Sequence, residues 1–385
     1  MRNWLLPEYL EDILPPEAQR IEHSRRALLD LFHGHGYELV MPPLLEYVES
    51  LLTGTGRDMD LATFKLVDQL SGRQIGIRAD ITPQVARIDA HLLNRKGVTR
   101  LCYAGNVLHT LPAGIAQSRE PLKIGAELYG HAGIESDIEI QRLMLEALRL
   151  SGVEGVTLDL GHVGIFRALA KQAAVSLEQE GEMFRALLAK DVPLLRELTQ
   201  KLATASRDAL RLLPELYGDV KVLEAAQKKL PALPEITSAL HDLKSLAQKL
   251  AGSVDHISFD LAELRGYHYH SGVVFAAYAP GYADAIARGG RYDQVGKAFG
   301  RSRPATGFDM DLRELARQYP AKITLRGILA PHTDDVKLFN IINELRNKGE
   351  IVKIELPGSQ QHRAELDCNR EIAQVNGAWQ VKNLS

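Results

Sequence analysis

The chain has 385 residues, of which 45% are hydrophobic and 25% charged, and a formal net charge of −3. This is the composition of a soluble globular chain of two or three domains with enough apolar residues for a sizeable core. The near-neutral balance weighs against a dedicated nucleic-acid binder, which gains affinity from clustered Lys and Arg.

Two cysteines, Cys102 and Cys368, stand far apart and outside any CxxC or His/Cys spacing, so no metal site and no disulfide framework is expected. The opening MRNWLLPEYLEDILP carries acids and prolines rather than the apolar core of a signal peptide. No run approaches the roughly 18 apolar residues of a membrane span. A cytoplasmic protein without membrane contact is expected.

Residues 17–36 read as an amphipathic helix, with Ile21, Leu28, Leu31 and Phe32 on one side, ended by Gly34 and Gly36. A strand over Tyr37–Met41 runs into Pro42-Pro43, as at a sheet edge. Strands at 64–68 and 74–78 flank a turn at Ser71-Gly72, and 81–95 looks helical. Two strands (99–109 and 122–130), a helix (135–151) and a strand (156–161) follow. From 163 to about 250 the chain is rich in Ala, Leu, Lys and Glu, which predicts several short helices. Strand texture returns at 255–278, before a glycine-rich stretch at 288–300. The last residues, about 322–385, read strand, helix, strand and a weaker helix–strand tail.

The expected fold class is therefore α+β. An antiparallel sheet flanked by helices spans 1–162 and 252–320, interrupted by a helical insertion at 163–251. A small α/β unit follows at 321–385.

Four segments carry candidate chemistry. In Gly289-Gly290-Arg291-Tyr292-Asp293 the glycines allow close backbone approach, and Arg and Asp can form a charge-assisted pair. The bland alternative is a tight turn with a structural ion pair. In Leu264–Gly272, period-two alternation places Tyr267 and Tyr269 on one strand face and His268 and His270 on the other. Arg78-Ala79-Asp80-Ile81-Thr82 joins a strand to a helix, and in Lys123–Tyr129 the side chains of Lys123, Gly125 and Glu127 share one face. Asp80 and Glu127 with Arg265 can hold a zwitterionic amino acid, carboxylates on the ammonium and guanidinium on the carboxylate. The candidate ligand-binding set is Asp80, Thr82, Lys123, Glu127, Arg265, Tyr267 and Tyr269.

In this order, the four segments resemble the histidyl-tRNA synthetase family of class II aminoacyl-tRNA synthetases over most of residues 8–318. The first helix and Pro42-Pro43 are similar to its dimer-forming motif. Arg78–Thr82 stands where the family carries Arg-Pro-Glu-Gly-Thr. Leu264 to Tyr269, followed by Val273-Val274-Phe275, stands where the family carries its Arg-Gly-Leu-Asp-Tyr-Tyr segment. The resemblance breaks on the nucleotide side. An aminoacylating enzyme stabilises the charge developing on the ATP α-phosphate with positioned arginines. In the second motif the expected Arg-x-Glu falls on His109 and Leu111, with Arg119 the clear cation of the following loop. In the third, the expected Arg falls on Glu314, and Arg313 lies one residue early, about 100° round a helix. Asp309 and Asp311 replace small residues and would repel polyphosphate by about 1–4 kcal/mol per close pair. Lys123 stands on a family Gln.

This pattern resembles the family of ATP phosphoribosyltransferase regulatory subunits. The resemblance implies no catalytic residues, no cofactor, and no aminoacylation. It implies a short-form catalytic phosphoribosyltransferase as partner, a synthetase-like dimer within a hetero-oligomer, and histidine as feedback effector in the first step of histidine biosynthesis. Histidine could take the old amino-acid pocket or a site between subunits. The alternatives are an active histidyl-tRNA synthetase, or a free-standing amino-acid- or RNA-binding paralogue.

Overall fold

The structure, a computed structural model, describes residues 4–54, 57–112, 114, 117–267, 269–320 and 326–384. It divides into two compact units, Met1–Pro320 and Ala321–Ser385.

The first unit opens with helix α1 (Pro15–Gly34), which buries Ile21, Leu28 and Phe32, and the short strand β1 (Glu38–Leu39). A small sheet follows, from β2 (Leu45–Tyr47), β3 (Phe64–Val67) and β4 (Gln74–Ile77), with helices α2 (Val48–Leu51) and α3 (Arg57–Ala62) in its connection. Helix α4 (Thr82–Arg87) passes into a π-helical turn at Ile88–Leu93. Strands β5 (Thr99–Asn106) and β6 (Leu122–Tyr129), helix α5 (Ile134–Leu150) and strand β7 (Thr157–His162) complete the first half.

Residues 163–250 are helical, as their composition predicts: α6 (Val163–Gln172), α7 (Leu177–Leu188), α8 (Val192–Leu198), α9 (Thr204–Leu212), α10 (Lys221–Lys229) and α11 (Pro234–Leu250). Pro193 and Pro234 stand in the first turns of α8 and α11, where a missing N–H costs nothing. A two-residue strand, β8 (Tyr217–Gly218), lies among them. Strands β9 (His256–Asp260), β10 (Val273–Tyr278), β11 (Ala287–Arg291) and β12 (Ala305–Asp311) and helix α12 (Leu312–Ala316) return to the sheet.

The main sheet has nine strands in the order β1-β5-β6-β12-β11-β10-β7-β9-β8. Its centre, β5 to β7, is antiparallel throughout, while β1 pairs β5 and β9 pairs β7 in parallel. Alternation gives the sheet two faces. Ile124, Ala126 and Leu128 of β6 and Phe308 and Met310 of β12 point into the main core, with α1 and α5. The odd-numbered residues of the same two strands face the other way and build the site. The expected strand over 37–41 shrinks to two residues, because Pro42 and Pro43 stop the ladder.

The second unit is a four-stranded sheet, β14-β13-β15-β16, from β13 (Gly327–Pro331), β14 (Val352–Glu355), β15 (Cys368–Val375) and β16 (Ala378–Asn383), with α13 (Val336–Asn347). Ile328, Ala330, Leu338, Ile342, Val352 and Ile372 form its core. The expected helix–strand tail is instead a 3-10 turn and a β-hairpin. Asn376 and Gly377, both at positive φ, supply the tight turn that decides this. Among the described residues no helix is long and apolar enough to cross a membrane.

Candidate functional site

The odd-numbered face of β6 and β12, continued by the even-numbered face of β11, floors a cavity of about 790 Å³. Cross-strand register sorts that floor into rows. Glu127 faces Gly307, which faces Gly290, which faces Val274. In the next row Gly125 faces Asp309, Asp309 faces Arg288, and Arg288 faces Ala276. In the third, Lys123 faces Asp311.

The glycines of the first row are a steric requirement. A Cβ on Gly307 would stand 1.6 Å from Glu127 Oε2, and one on Gly290 would meet the His270 ring at 2.7 Å. The tandem glycines thus lie inside a central strand, correcting the tight-turn alternative. The neighbouring Arg291 is buried and bonds Asp137 of α5 at 2.6 and 3.0 Å, with Asp293 a looser second partner at 3.3 Å.

Glu127 sits on the floor at 1% exposure. Tyr292 donates to its Oε2, and the Tyr103 hydroxyl lies 3.3 Å from its Oε1. Tyr103 meets the Thr82 hydroxyl at 3.2 Å, and Tyr292 meets that of Tyr129 at 3.2 Å. Burial pushes the Glu127 carboxyl up to about 8, with the charges of Asp80 and Asp309 adding to the rise. Asp80 is raised too, first by burial and then by Asp309, although its Oδ1 accepts from the amides of Ile81 (2.6 Å) and Thr82 (3.2 Å) at the start of α4. The floor therefore holds two carboxyls with no basic side chain hydrogen-bonded to either among the described residues. A cationic group entering there meets acids free to pair with it.

Asp80, Thr82, Glu127, Arg265, Tyr267 and Tyr269 all line this cavity; Lys123 does not. Its ammonium is engaged by the Asp309 carboxylate in the adjoining row. Burial alone would lower the Lys123 pKa, but Asp309, Asp311 and Asp80 together raise it. The cation that looked out of place in the sequence is neutralised by an acid that looked equally out of place.

The segment around Arg265 departs from expectation. Residues 265–267 and 269 lie in turns and no strand includes them, so Tyr267 and Tyr269 share no strand face; His268 lies outside the described residues. Gly266 takes φ +68°, which reverses the chain between Arg265 and Tyr267. Arg265 stands at the cavity mouth, half-exposed, 3.7 Å from Glu263 and 3.9 Å from Asp284. Tyr269 tilts against Tyr292 with ring centroids 4.9 Å apart, and its buried hydroxyl has no hydrogen-bond partner among the described residues. The Tyr267 hydroxyl is committed to Glu180 of α7.

Most of the residues that the resemblance sets on the nucleotide side are engaged within the chain. His109 Nε2 lies 2.9 Å from the Ala79 carbonyl, and Leu111 is 75% exposed. Arg119 donates to the carbonyl of His109 at 3.1 Å and covers the Phe64 ring. Arg313 is turned to Glu11 at 2.6 Å, and Glu314 pairs with Arg317 at 2.7 Å. Asp311 accepts from the Arg313 amide at 2.9 Å and so caps α12. Arg288, in the floor's second row, is paired with Asp284.

Sequence reasoning missed Tyr103, Tyr292, His270, Arg288 and Gly307 as parts of this site. Tyr292 and His270 lay in segments already singled out. The others needed the strand register, which sequence spacing does not supply.

Residues 9–315 match the family model described as Histidyl-tRNA synthetase, and residues 325–382 the model described as ATP phosphoribosyltransferase subunit HisZ C-terminal domain. A protein of Ralstonia pickettii (strain 12J) named ATP phosphoribosyltransferase regulatory subunit is 59% identical over 380 residues, 99% of this chain and 98% of that protein. Among solved structures, an ATP phosphoribosyltransferase regulatory subunit/histidyl-tRNA synthetase from Bacillus halodurans C superposes with TM-score 0.84 at 26% identity, covering 95% of this chain and 96% of that one. The histidyl-tRNA synthetase of Nostoc sp. PCC 7120, at TM-score 0.77 and 16% identity over 100% of this chain and 95% of that one, shares the fold. The chain belongs to the ATP phosphoribosyltransferase regulatory-subunit family, built on the histidyl-tRNA synthetase fold.

Proposed function

We propose that this chain partners a short-form catalytic ATP phosphoribosyltransferase, is required for its full activity, and passes it feedback inhibition by histidine without aminoacylating anything. The supporting observation is a contrast along one face of the sheet. The end around Glu127, Asp80 and Tyr269 keeps buried polar groups able to receive a ligand. At the other end Lys123 is tied to Asp309, Arg288 to Asp284 and Arg313 to Glu11, so the charges cancel one another.

In this reading the histidine ammonium is received by the acids Asp80 and Glu127, with Thr82 beside them, and its carboxylate by Arg265. Tyr269 offers its hydroxyl, and Tyr267 closes the wall. Lys123 acts indirectly, holding Asp309 away from competition with the ligand. A cation arriving at Glu127 favours its ionised form, so binding releases a proton near neutral pH. Regulation requires that histidine bind two states of the assembly unequally.

The same proposal divides the chain into a core (1–162 and 252–320), a helical insertion (163–251) and the C-terminal unit (321–385). It places a synthetase-like dimer on the α1–β1 region, where Met41, Leu44 and Leu45 are exposed at 84%, 48% and 44%. Titrating histidine calorimetrically into the chain, alone and with its catalytic partner, tests the site. Binding to the chain alone, lost in Glu127→Ala and Arg265→Ala, supports the pocket. Binding to the complex alone places histidine between subunits. Histidine-dependent ATP–pyrophosphate exchange by the purified chain would overturn the non-catalytic reading.

A further inference from the structure

The loop that carries Arg265 and Tyr269 is fastened to the helical insertion at several points. Before it, Lys190, just beyond α7, pairs with Asp260 at 2.6 Å. Within it, the Tyr267 ring is 3% exposed and stacks on Phe184 of α7, with centroids 5.3 Å apart and planes at 25°. The same ring packs edge-on against Phe166 of α6 at 5.3 Å, and its hydroxyl donates to Glu180. Arg167 of α6 holds the loop backbone, donating to the carbonyls of Tyr267 and His270, each at 3.2 Å, while its guanidinium covers the Tyr267 ring.

Phe166 and Arg167 hold the loop from outside the cavity, while Tyr267 and Phe184 both line it. Through the reversal at Gly266, Arg265 reaches the cavity mouth while Tyr267 enters the insertion. Helix α7 is itself a cavity wall, through Gly181, Phe184 and Arg185. On its far side Met183, Ala186 and Leu187 are buried in the main core. A packed helix held this way shifts as a unit, because side chains at interior density transmit displacement instead of absorbing it.

We infer that Tyr267 is a positioning residue, a strut between pocket and insertion, so that a ligand drawing Arg265 and Tyr269 onto itself moves α7 and makes the insertion a reporter of pocket occupancy. This rests on the pocket reading above. The Tyr267–Glu180 bond is the joint, and Glu180 lies outside the ligand set. Loss of that bond therefore leaves histidine affinity in place and removes the response of α7. The two states that the regulatory function requires then differ in the seating of α7, and the outer surface of the insertion carries the difference to the partner.

The experiment is hydrogen–deuterium exchange of the full chain with and without saturating histidine, alongside calorimetric titration, in the wild type, Glu180→Ala and Tyr267→Phe. In the wild type, histidine slows exchange in both the 261–272 loop and α7. In Glu180→Ala, which leaves no acceptor for the Tyr267 hydroxyl, histidine binds as in the wild type and slows exchange in the loop, while the change in α7 falls by about fivefold or more. Tyr267→Phe, which keeps the ring stack, gives the same loss in α7. With the catalytic partner present, both variants weaken inhibition by histidine by about fivefold or more. Intact binding with an unchanged α7 response in both variants overturns the strut alone. Failure of histidine to bind the wild-type chain, or binding indifferent to Glu127→Gln, overturns the pocket reading and the strut with it.

Discussion

At one end of the cavity floor Glu127 faces Gly307 and Gly290; two residues along the same strands, Gly125 faces Asp309 and Arg288. The first row is emptied of side chains by its glycines and leaves a carboxyl ringed by tyrosines. The second row is filled, and its charges are paired, Asp309 with Lys123 and Arg288 with Asp284. Both rows sit on one rigid sheet, so the difference lies in which groups have partners. A binding site needs buried polar groups whose partners arrive from outside; a closed surface needs partners supplied by the chain itself.

The contrast can be broken most forcefully at Lys123. Lys123→Ala leaves Asp309, Asp311 and Asp80 facing one another over a half-buried surface, and costs about 1–3 kcal/mol in denaturant unfolding. The double variant Lys123→Leu/Asp309→Leu recovers most of that loss, since removing both partners leaves no unpaired charge. If the single substitution proves neutral, the second row is not closed by this pair.

Gly307→Ala attacks the open row. Its Cβ would stand 1.6 Å from Glu127 Oε2 and 2.8 Å from the Ala126 carbonyl, so the carboxyl must leave its tyrosines. The expected cost is about 1–3 kcal/mol of stability, together with loss of histidine binding in calorimetry. Retained binding would show that ligand recognition does not use Glu127 in this position.

Glu127→Gln separates charge from shape. It weakens histidine by about tenfold to a hundredfold, because a neutral amide replaces the counter-charge of the ligand. It also changes the pH dependence of stability. The carboxyl has an ordinary value of 4.5 and is raised to about 8 in the folded chain. Between those values the folded state holds a proton that the unfolded state has released. Stability therefore falls as pH rises through this window, and the loss is complete above about 8. Holding one extra proton gives a slope approaching about 1.4 kcal/mol for each step of one in pH, which urea unfolding across the window measures. Glu127→Gln flattens that slope. Equal slopes in the two proteins would remove burial of this carboxyl as the cause.

The smallest effect is expected at His109. Its ring bonds a backbone carbonyl beside exposed Leu111, so His109→Arg changes stability by no more than about 0.5 kcal/mol. It does not create ATP–pyrophosphate exchange either, because Asp309 and Arg313 remain engaged. Exchange activity in that variant would mean the closed row is no barrier.

Much of this was legible in the residues. Alternation along β6 puts Lys123, Gly125 and Glu127 on one face whatever their neighbours, because strand geometry fixes it. The helical texture of 163–250 likewise follows from local propensity. Local reasoning failed where tertiary partners decide. Tyr267 and Tyr269 alternate like strand residues, but Gly266 at positive φ and the grip of Arg167 hold the segment as turns. The tail after Glu355 became a hairpin because Asn376-Gly377 turns β15 onto β16.

By itself, then, the sequence determined most of the element order, the residues that share the β6 face, and which residues stand where the resemblance expects a synthetase to grip ATP. Only the tertiary structure decided which charges are paired. Lys123 and Asp309 are 186 residues apart in the chain and meet only because β12 lies beside β6. Spacing along a chain is a local property, whereas neutralising a buried charge depends on register between strands brought together by folding.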